Sequence, residues 1–300
     1  MTHHALSDLK RETRSMVDGF DMTFPNVPLT GRERTVGELS QPDERSVGYG
    51  FDVKALQAPF LHLEKSLSES IPKQLRERIV VARQIAVHGF FCYEFYAVSM
   101  FWSVSSIEMA LKLKFRELRP GPFQVRRTKG GVEEHREVSL QMLEKRLRES
   151  WRISGEKYFD YSFRAFLTWA FRTALLPDDL PIPLQEVIHS FNNRFALEIF
   201  FDRAVKEGLL TDSPTLSLGD IQRCWGSLSQ KQQEHYRYKP SGVLIEELPR
   251  FRHDLAHPEK WNLIAPPGSP LGAYELLIDI VRRLWPTTTA EVAERPDSEP

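Results

Sequence analysis

The side chains best suited to chemistry lie in one short segment, Arg252-His253-Asp254-Leu255-Ala256-His257-Pro258. Arg252 offers a permanent positive charge and a planar fork of donors that fits phosphate oxygens, and His257 can transfer a proton near neutral pH. A guanidinium and an imidazole could together cleave a phosphodiester bond without a metal ion. The segment therefore predicts a metal-independent phosphodiester-cleaving site.

Three neighbouring polar side chains, those of His253, Asp254 and Lys260, are predicted to support this pair. His253 could orient a substrate or tune the other groups, and Lys260 is close enough in sequence to contact a phosphate. Pro249 and Pro258 bracket the segment, so its helix is predicted to be short.

An alternative without catalysis is an ion pair between Arg252 and a carboxylate such as Asp254 or Glu247. His257 would then only cap the end of the helix. A continuous helix places residues 252 and 257 about 140° apart around its axis, so the two side chains do not share a narrow face.

A metal site is a further alternative, because His253 and His257 have the spacing of the zinc-hydrolase motif His-Glu-x-x-His. Asp254 stands where that motif has glutamate, and it is one methylene short for the usual general-base role. Pro258 ends the helix before a third ligand can follow at helical spacing. We therefore predict neither a metal ion nor another cofactor.

A second copy of the arginine–histidine spacing occurs at Arg83 and His88. That copy lies inside an apolar helical pattern and continues directly into core residues. It is therefore predicted to be an ordinary packed or surface pair.

The composition does not indicate a particular class of binding partner. The 300 residues are 41% hydrophobic, and 40 basic against 41 acidic side chains leave a formal net charge of −1. Bulk charge thus does not require a nucleic-acid partner. Cys92 and Cys224 are the two cysteines, which favours a reducing cytoplasm. The polar N-terminus and the short apolar segment Phe95–Ile107 predict a cytoplasmic protein without a membrane span.

Local basic patches are the remaining candidates for contact with an RNA backbone. Glu108 and Lys112 lie one helical turn apart in the order that favours an ion pair. The predicted RNA-binding side chains lie at the end of an aromatic helix and on a predicted hairpin: Lys112, Lys114, Arg116, Arg126, Arg127 and Lys129.

The hydrophobic periodicity predicts a mainly α-helical chain with one helical domain over residues 71–286. Residues 1–70, with prolines and glycines among scattered charges, predict an irregular N-terminal segment packed on this body. Two short strands around Gly130 and Gly131 predict a small β-hairpin insertion around residues 120–138. Residues 287–300 predict a disordered tail.

The segment Leu248–Pro258, followed by a proline-rich loop and the helix Leu271–Pro286, resembles the end of a HEPN domain (higher eukaryotes and prokaryotes nucleotide-binding). The family signature of an arginine, a polar residue and a later histidine matches Arg252, His253 and His257. Ser106–Lys112 and Phe166–Pro177 resemble an early and a middle helix of the superfamily. The resemblance covers about residues 90–118 and 158–286 and implies a HEPN-like helical bundle.

The resemblance also implies a function. HEPN ribonucleases are homodimers in which both subunits contribute to a shared cleft. His257 would act as general base or acid on the ribose 2′-hydroxyl or the leaving 5′-oxygen, and Arg252 would stabilise the transition state. RNA would be cleaved to a 2′,3′-cyclic phosphate and a 5′-hydroxyl. A role in toxin–antitoxin systems or anti-phage defence, with an antitoxin or sensor partner, is implied as well. The alternative is a non-catalytic nucleotide-binding or dimerisation module.

Overall fold

A computed structural model describes residues 35, 37–50, 52–154, 159–192, 197–211, 217–236, 239–257 and 267–287. The described part contains twelve α-helices and one small antiparallel sheet. The prediction of a mainly α-helical fold with a small β insertion is therefore confirmed. Lys260 and, of the predicted tail, residues 288–300 lie outside the described residues.

The described part of the chain forms twelve α-helices. In chain order they are α1 (Glu44–Val47), α2 (Val53–Glu64), α3 (Lys73–His88), α4 (Phe95–Leu118), α5 (Leu140–Arg148), α6 (Phe163–Arg172), α7 (Gln185–Phe191), α8 (Leu197–Lys206), α9 (Leu218–Ser227), α10 (Gln230–Tyr236), α11 (Pro240–Ala256) and α12 (Ser269–Leu284). A short 3-10 turn, Glu38–Ser40, precedes them.

Helix α4 is the central element, and it packs along α3 and α12 and against α6 and α11. Its buried face repeats at three- and four-residue spacing through Met100, Val104, Ile107, Leu111 and Phe115, all fully buried. This spacing places the five side chains on one stripe of the helix. Burial of that stripe holds together the helices that carry the candidate site.

The predicted hairpin is confirmed. Strands β1 (Phe123–Lys129) and β2 (Val132–Val138) pair in antiparallel register with Lys129 opposite Val132. Gly130 and Gly131 form the turn with φ of 59° and 81°, the left-handed conformation that two-residue hairpin loops require. A two-residue strand, β3 (Arg152–Ile153), pairs with the other side of β1. It is too short to leave a recognisable pattern in the sequence.

The N-terminal segment differs from the irregular structure expected through residue 70, because Val53–Glu64 form the twelve-residue helix α2. The Asp52 carboxylate caps this helix by accepting a 2.7 Å hydrogen bond from the Ala55 amide. Leu56 and Phe60 bury its inner face against the helical body. Residues 1–34 lie outside the described part of the chain.

Helix α11, which carries Arg252, also differs from expectation. It is seventeen residues long and runs through Pro249 instead of starting after it. Proline inside a helix removes one backbone hydrogen bond. Burial of Leu244, Leu248 and Leu255 on the inner face of α11 offsets that loss. Arg252 and His253 therefore lie near the end of a long, well-packed helix, and His257 is its C-cap residue.

A separate small core lies in α8, α9 and α10. It buries Phe200, Ala204, Ile221 and Tyr236, and Phe200 makes edge-to-face contacts with Trp225 and Tyr236. Ser217 begins α9 with a reciprocal capping box to Asp220.

Candidate anion-binding groove and histidine pair

Arg252 forms an ion pair with a carboxylate that belongs to a different helix. One Nη of Arg252, on α11, contacts one carboxylate oxygen of Glu108, on α4. The other oxygen of Glu108 accepts from Lys112 Nζ at 2.7 Å, which confirms the helical ion pair indicated by their spacing. The two oxygens of one largely buried carboxylate thus bind two cations from two helices.

Glu247 and Asp254, the carboxylates close to Arg252 in the sequence, make other contacts. Glu247 is only 2% exposed and accepts a 3.1 Å hydrogen bond from the Ser190 hydroxyl. Asp254 lies two residues beyond Arg252, and its backbone carbonyl accepts from the His257 amide at 3.1 Å. Arg252 thus pairs with a carboxylate, but with Glu108 and not with Asp254 or Glu247, because the packing of α4 against α11 selects the partner.

The Arg252–Glu108 pair lies in a groove between α3, α4 and α11 with a volume of about 530 Å³. Of the described residues that line it, four are cationic (Arg78, Lys112, Arg116, Arg252) and one, Glu108, is anionic, a net charge of +3. Excess charge of one sign in a concave site attracts ligands of the opposite sign. The groove is therefore suited to an anion.

Arg78 is the functional candidate that sequence reasoning missed. Its guanidinium carbon lies 4.6 Å from the centre of the Trp102 ring, and its Nη1 is 3.4 Å from Met109 Sδ. Its Nε is buried and has no hydrogen-bond partner among the described residues. No signal in the sequence distinguishes Arg78 from other polar positions of α3, because the groove forms only when α3 packs on α4.

Arg252 is partly removed from water in this groove. Burial lowers the pKa of its guanidinium, although an arginine remains charged at any physiological pH. Its side chain keeps 37% exposure. The charge is therefore partly desolvated and still accessible to a ligand.

The two histidines lie together at the end of α11. The rings of His253 and His257 are exposed, with centroids 4.6 Å apart and planes tilted by 54°. His257 is the C-cap residue, and its backbone leaves the helical conformation. The structure thus brings Arg252 to Glu108 and Lys112, and it brings His257 to His253 one helical turn along the same helix.

The predicted RNA-binding residues divide into two groups. Lys112 and Arg116 line the groove, and one Nη of Arg116 lies 3.5 Å from the Tyr161 hydroxyl. Lys114 instead pairs with Glu117 at 2.6 Å. The hairpin residues are Arg126, which pairs with Glu133 at 3.1 Å, Arg127, which pairs with Glu134 at 2.8 Å, and Lys129, which is exposed beside the turn.

The second arginine–histidine copy has a structural role, as expected. Arg83 Nε donates to Glu64 at 2.7 Å, and the buried Tyr274 hydroxyl donates to the same carboxylate. The Glu64 carboxylate of α2 therefore joins Arg83 of α3 and Tyr274 of α12.

A second cavity, of about 560 Å³, lies between α6 and α11. Of the described residues that line it, Arg164 and Arg172 are basic and Asp160 and Glu246 are acidic, and Arg164 pairs with Glu246. Its charges balance, so the excess positive charge distinguishes the groove from this cavity.

Within the described ranges, no three His, Cys, Asp or Glu side chains lie together as metal ligands, so no third ligand joins His253 and His257 there. None of the described helices combines the length and the hydropathy needed to cross a bilayer. Comparisons with family models, with curated proteins and with solved structures found no match to this chain.

Proposed function

We propose that the chain is a metal-independent endoribonuclease of the HEPN type, with Arg252 and His257 as its catalytic residues. One observation carries the proposal: Arg252 lies in a groove of net charge +3, and the end of the same helix carries, outside the groove lining, the adjacent and exposed imidazoles of His253 and His257. A phosphodiester needs a cationic site for its phosphate and proton-transfer groups beside it.

In the proposed reaction the ribose 2′-oxygen attacks phosphorus while the bond to the 5′-oxygen breaks. One imidazole accepts the proton of the 2′-hydroxyl and another acid gives a proton to the leaving 5′-oxygen. His257 takes one of these roles, and His253, 4.6 Å away between ring centres, supports it. Arg252 stabilises the negative charge that develops on the phosphate oxygens.

The resemblance to HEPN nucleases supports the wider setting of the proposal. A homodimer would combine the arginine and histidine of two subunits in one cleft, and the chain would act on RNA in the cytoplasm. A toxin or anti-phage effector of this kind would have an antitoxin or sensor partner that controls it.

The test is RNA cleavage in excess chelator by the unaltered chain and by His257→Ala. We expect chelator-resistant cleavage with cyclic-phosphate ends, reduced by about 100-fold or more in the variant, the range for loss of a general acid or base. His135→Ala is the matched control, because His135 is an exposed hairpin histidine with 57% of its side chain accessible. Equal activity of unaltered chain and His257→Ala would refute the proposal.

A non-catalytic nucleotide-binding module is the second candidate. The Glu108 carboxylate, which already neutralises part of the charge of Arg252, favours it. This candidate requires nucleotide binding without cleavage, and binding that His257→Ala leaves unchanged.

A further inference from the structure

The charged side chains of the groove are unevenly paired. Glu108 engages Lys112 and Arg252 with its two oxygens, and it is the one carboxylate among the described residues that line the groove. Arg78 and Arg116 bring two further guanidinium groups to the same space. Among the described lining residues the cations exceed the carboxylates by three, so the groove favours a ligand with more negative charge than Glu108 alone supplies.

We infer that the groove binds a phosphate group through Arg78, Lys112 and Arg252, and that this phosphate takes the position that Glu108 occupies in the free protein. The phosphate site is inferred from the geometry and charge of the groove. Its use in RNA cleavage rests on the proposed function. Arg78 is then a binding residue, and Glu108 is a counter-ion that a ligand displaces.

Arg78 is prepared for this role by its surroundings. Contact with the Trp102 ring and Met109 Sδ fixes the guanidinium before any ligand arrives. A buried donor without a partner is unfavourable, and Arg78 Nε is such a donor within the described part of the chain. A phosphate can accept from several cationic donors at once, whereas the two oxygens of Glu108 are already engaged by Lys112 and Arg252.

The charge balance of the groove allows a phosphate to displace Glu108. The Glu108 side chain is largely buried but keeps 13% exposure, so a ligand can reach its carboxylate from solvent. A phosphodiester carries the same charge of −1, and a terminal phosphate carries more. The exchange therefore preserves or improves the charge balance of the groove.

The length of the groove favours a chain of phosphates over a single one. Ser105, Glu108, Lys112 and Arg116 follow one face of α4 at three- and four-residue steps. At about 1.5 Å per residue this face is roughly 16 Å long. A nucleic-acid backbone can reach Arg116 at one end and the Arg252 region at the other.

The test is binding of a fluorescent single-stranded 2′-deoxy oligonucleotide, followed by anisotropy at low salt. This probe lacks the 2′-hydroxyl and cannot be cleaved by the proposed reaction. We expect Arg78→Met, which keeps the contact with Trp102, to weaken binding by about tenfold. Glu108→Gln should tighten binding by about fivefold, because the competing charge is gone.

Arg223→Gln is the matched control. It removes the same charge from the exposed face of α9, where 79% of the Arg223 side chain is accessible. We expect less than about a twofold change. Thermal unfolding checks each variant. If Arg78→Met does not fold, Arg116→Gln takes its place, because Arg116 is exposed and contributes less to the core.

Inorganic pyrophosphate, used as a competitor at matched ionic strength, separates the two sources of phosphate. Tighter binding of the oligonucleotide identifies a nucleic-acid backbone, and tighter binding of pyrophosphate with the same variant pattern identifies a free phosphate compound. Either of these two results supports the phosphate site. Equal losses in Arg78→Met and Arg223→Gln, or weaker binding in Glu108→Gln, would overturn it.

Failure of this inference is distinguishable from failure of the proposed function. Binding with the expected variant pattern, but without RNA cleavage, would leave the phosphate site standing and remove the catalysis. Cleavage that depends on His257 but not on Arg78 or Glu108 would support the proposed catalysis and remove the phosphate site.

Discussion

The groove and the hairpin are both rich in arginine and lysine, yet their charges are arranged in opposite ways. On the hairpin, Arg126 pairs with Glu133 and Arg127 with Glu134 across the two strands. In the groove, the described lining residues set four cations against the single carboxylate of Glu108. Similar composition therefore gives a neutralised surface in one region and an excess of positive charge in the other.

The difference comes from how each surface is assembled. The hairpin pairs neighbours in sequence, and its register sets Arg127 opposite Glu134. The groove collects Arg78 from α3, Lys112 and Arg116 from α4, and Arg252 from α11. Local pairing balances charge, whereas packing of distant helices concentrates it. A basic stretch of sequence is consequently a poor guide to a basic surface.

The largest expected effect concerns Phe115, which links the two regions. Its fully buried ring stacks on Phe123 of β1 at 5.8 Å and supports α4, the floor of the groove. Phe115→Ala should lower the free energy of unfolding by about 3–5 kcal/mol. Urea unfolding followed by circular dichroism measures this loss.

Hydrogen exchange then shows whether the two regions unfold together. Amides of β1, β2 and α4 should lose protection at the same free energy in Phe115→Ala. Phe95→Ala is the matched control on the same helix, because that ring is 42% exposed, and it should cost less than about 1 kcal/mol. A hairpin that unfolds alone would make the two regions independent units.

The next effect concerns cleavage, and it compares one arginine from each region. Arg252→Ala should lower kcat/KM for RNA by about 100-fold or more, because a positioned cation in the transition state is lost. Arg126→Ala should change it less than about twofold, since Arg126 already pairs with Glu133 at 3.1 Å. Equal losses in initial-rate assays would mean that the hairpin contacts the substrate and that its ion pairs open on binding.

Local features of the fold were predictable from the sequence. The hairpin follows from two short runs that flank the Gly130–Gly131 turn, and the Glu108–Lys112 pair follows from helical spacing. Helix α2 is absent from the prediction although Leu56, Phe60 and Leu63 recur at helical spacing after the capping residue Asp52, because the prolines and glycines before residue 51 favoured irregular structure for the whole segment. The short helix expected between Pro249 and Pro258 is wrong at its start. A proline inside a helix is tolerated where burial of the inner face offsets the lost hydrogen bond.

The candidate site was predictable only in part. The segment that carries Arg252, His253 and His257 stands out by residue type, and the adjacent rings of His253 and His257 follow from their one-turn spacing. Glu108 as partner of Arg252, and Arg78 as a further cation, depend on contacts between helices far apart in the sequence. No periodicity encodes such contacts, so they required the packed structure.

A smaller effect concerns salt. Binding of a cationic site to a nucleic-acid backbone releases counterions, so the logarithm of affinity falls with the logarithm of salt concentration. Arg116→Gln should reduce that slope by about 1, because one phosphate contact is lost. Arg127→Gln should leave the slope unchanged, since the Glu134 partner already neutralises Arg127. Oligonucleotide titrations over a range of salt concentrations measure both slopes, and a reversed order would locate the backbone contact on the hairpin.

The smallest expected effect is the coupling between Arg126 and Glu133. Both side chains are about half exposed, so water screens the pair, and a double-mutant cycle with Arg126→Gln and Glu133→Gln should give about 0.2–1 kcal/mol. Urea unfolding of the two single variants and the double variant measures this coupling. A value well above that range would mean that the ion pair contributes substantially to the stability of the hairpin. The pairing of its charges would then be explained by that stability. A value within it leaves charge balance as the main result of the pairing, so that the groove is the surface where positive charge stays available to a ligand.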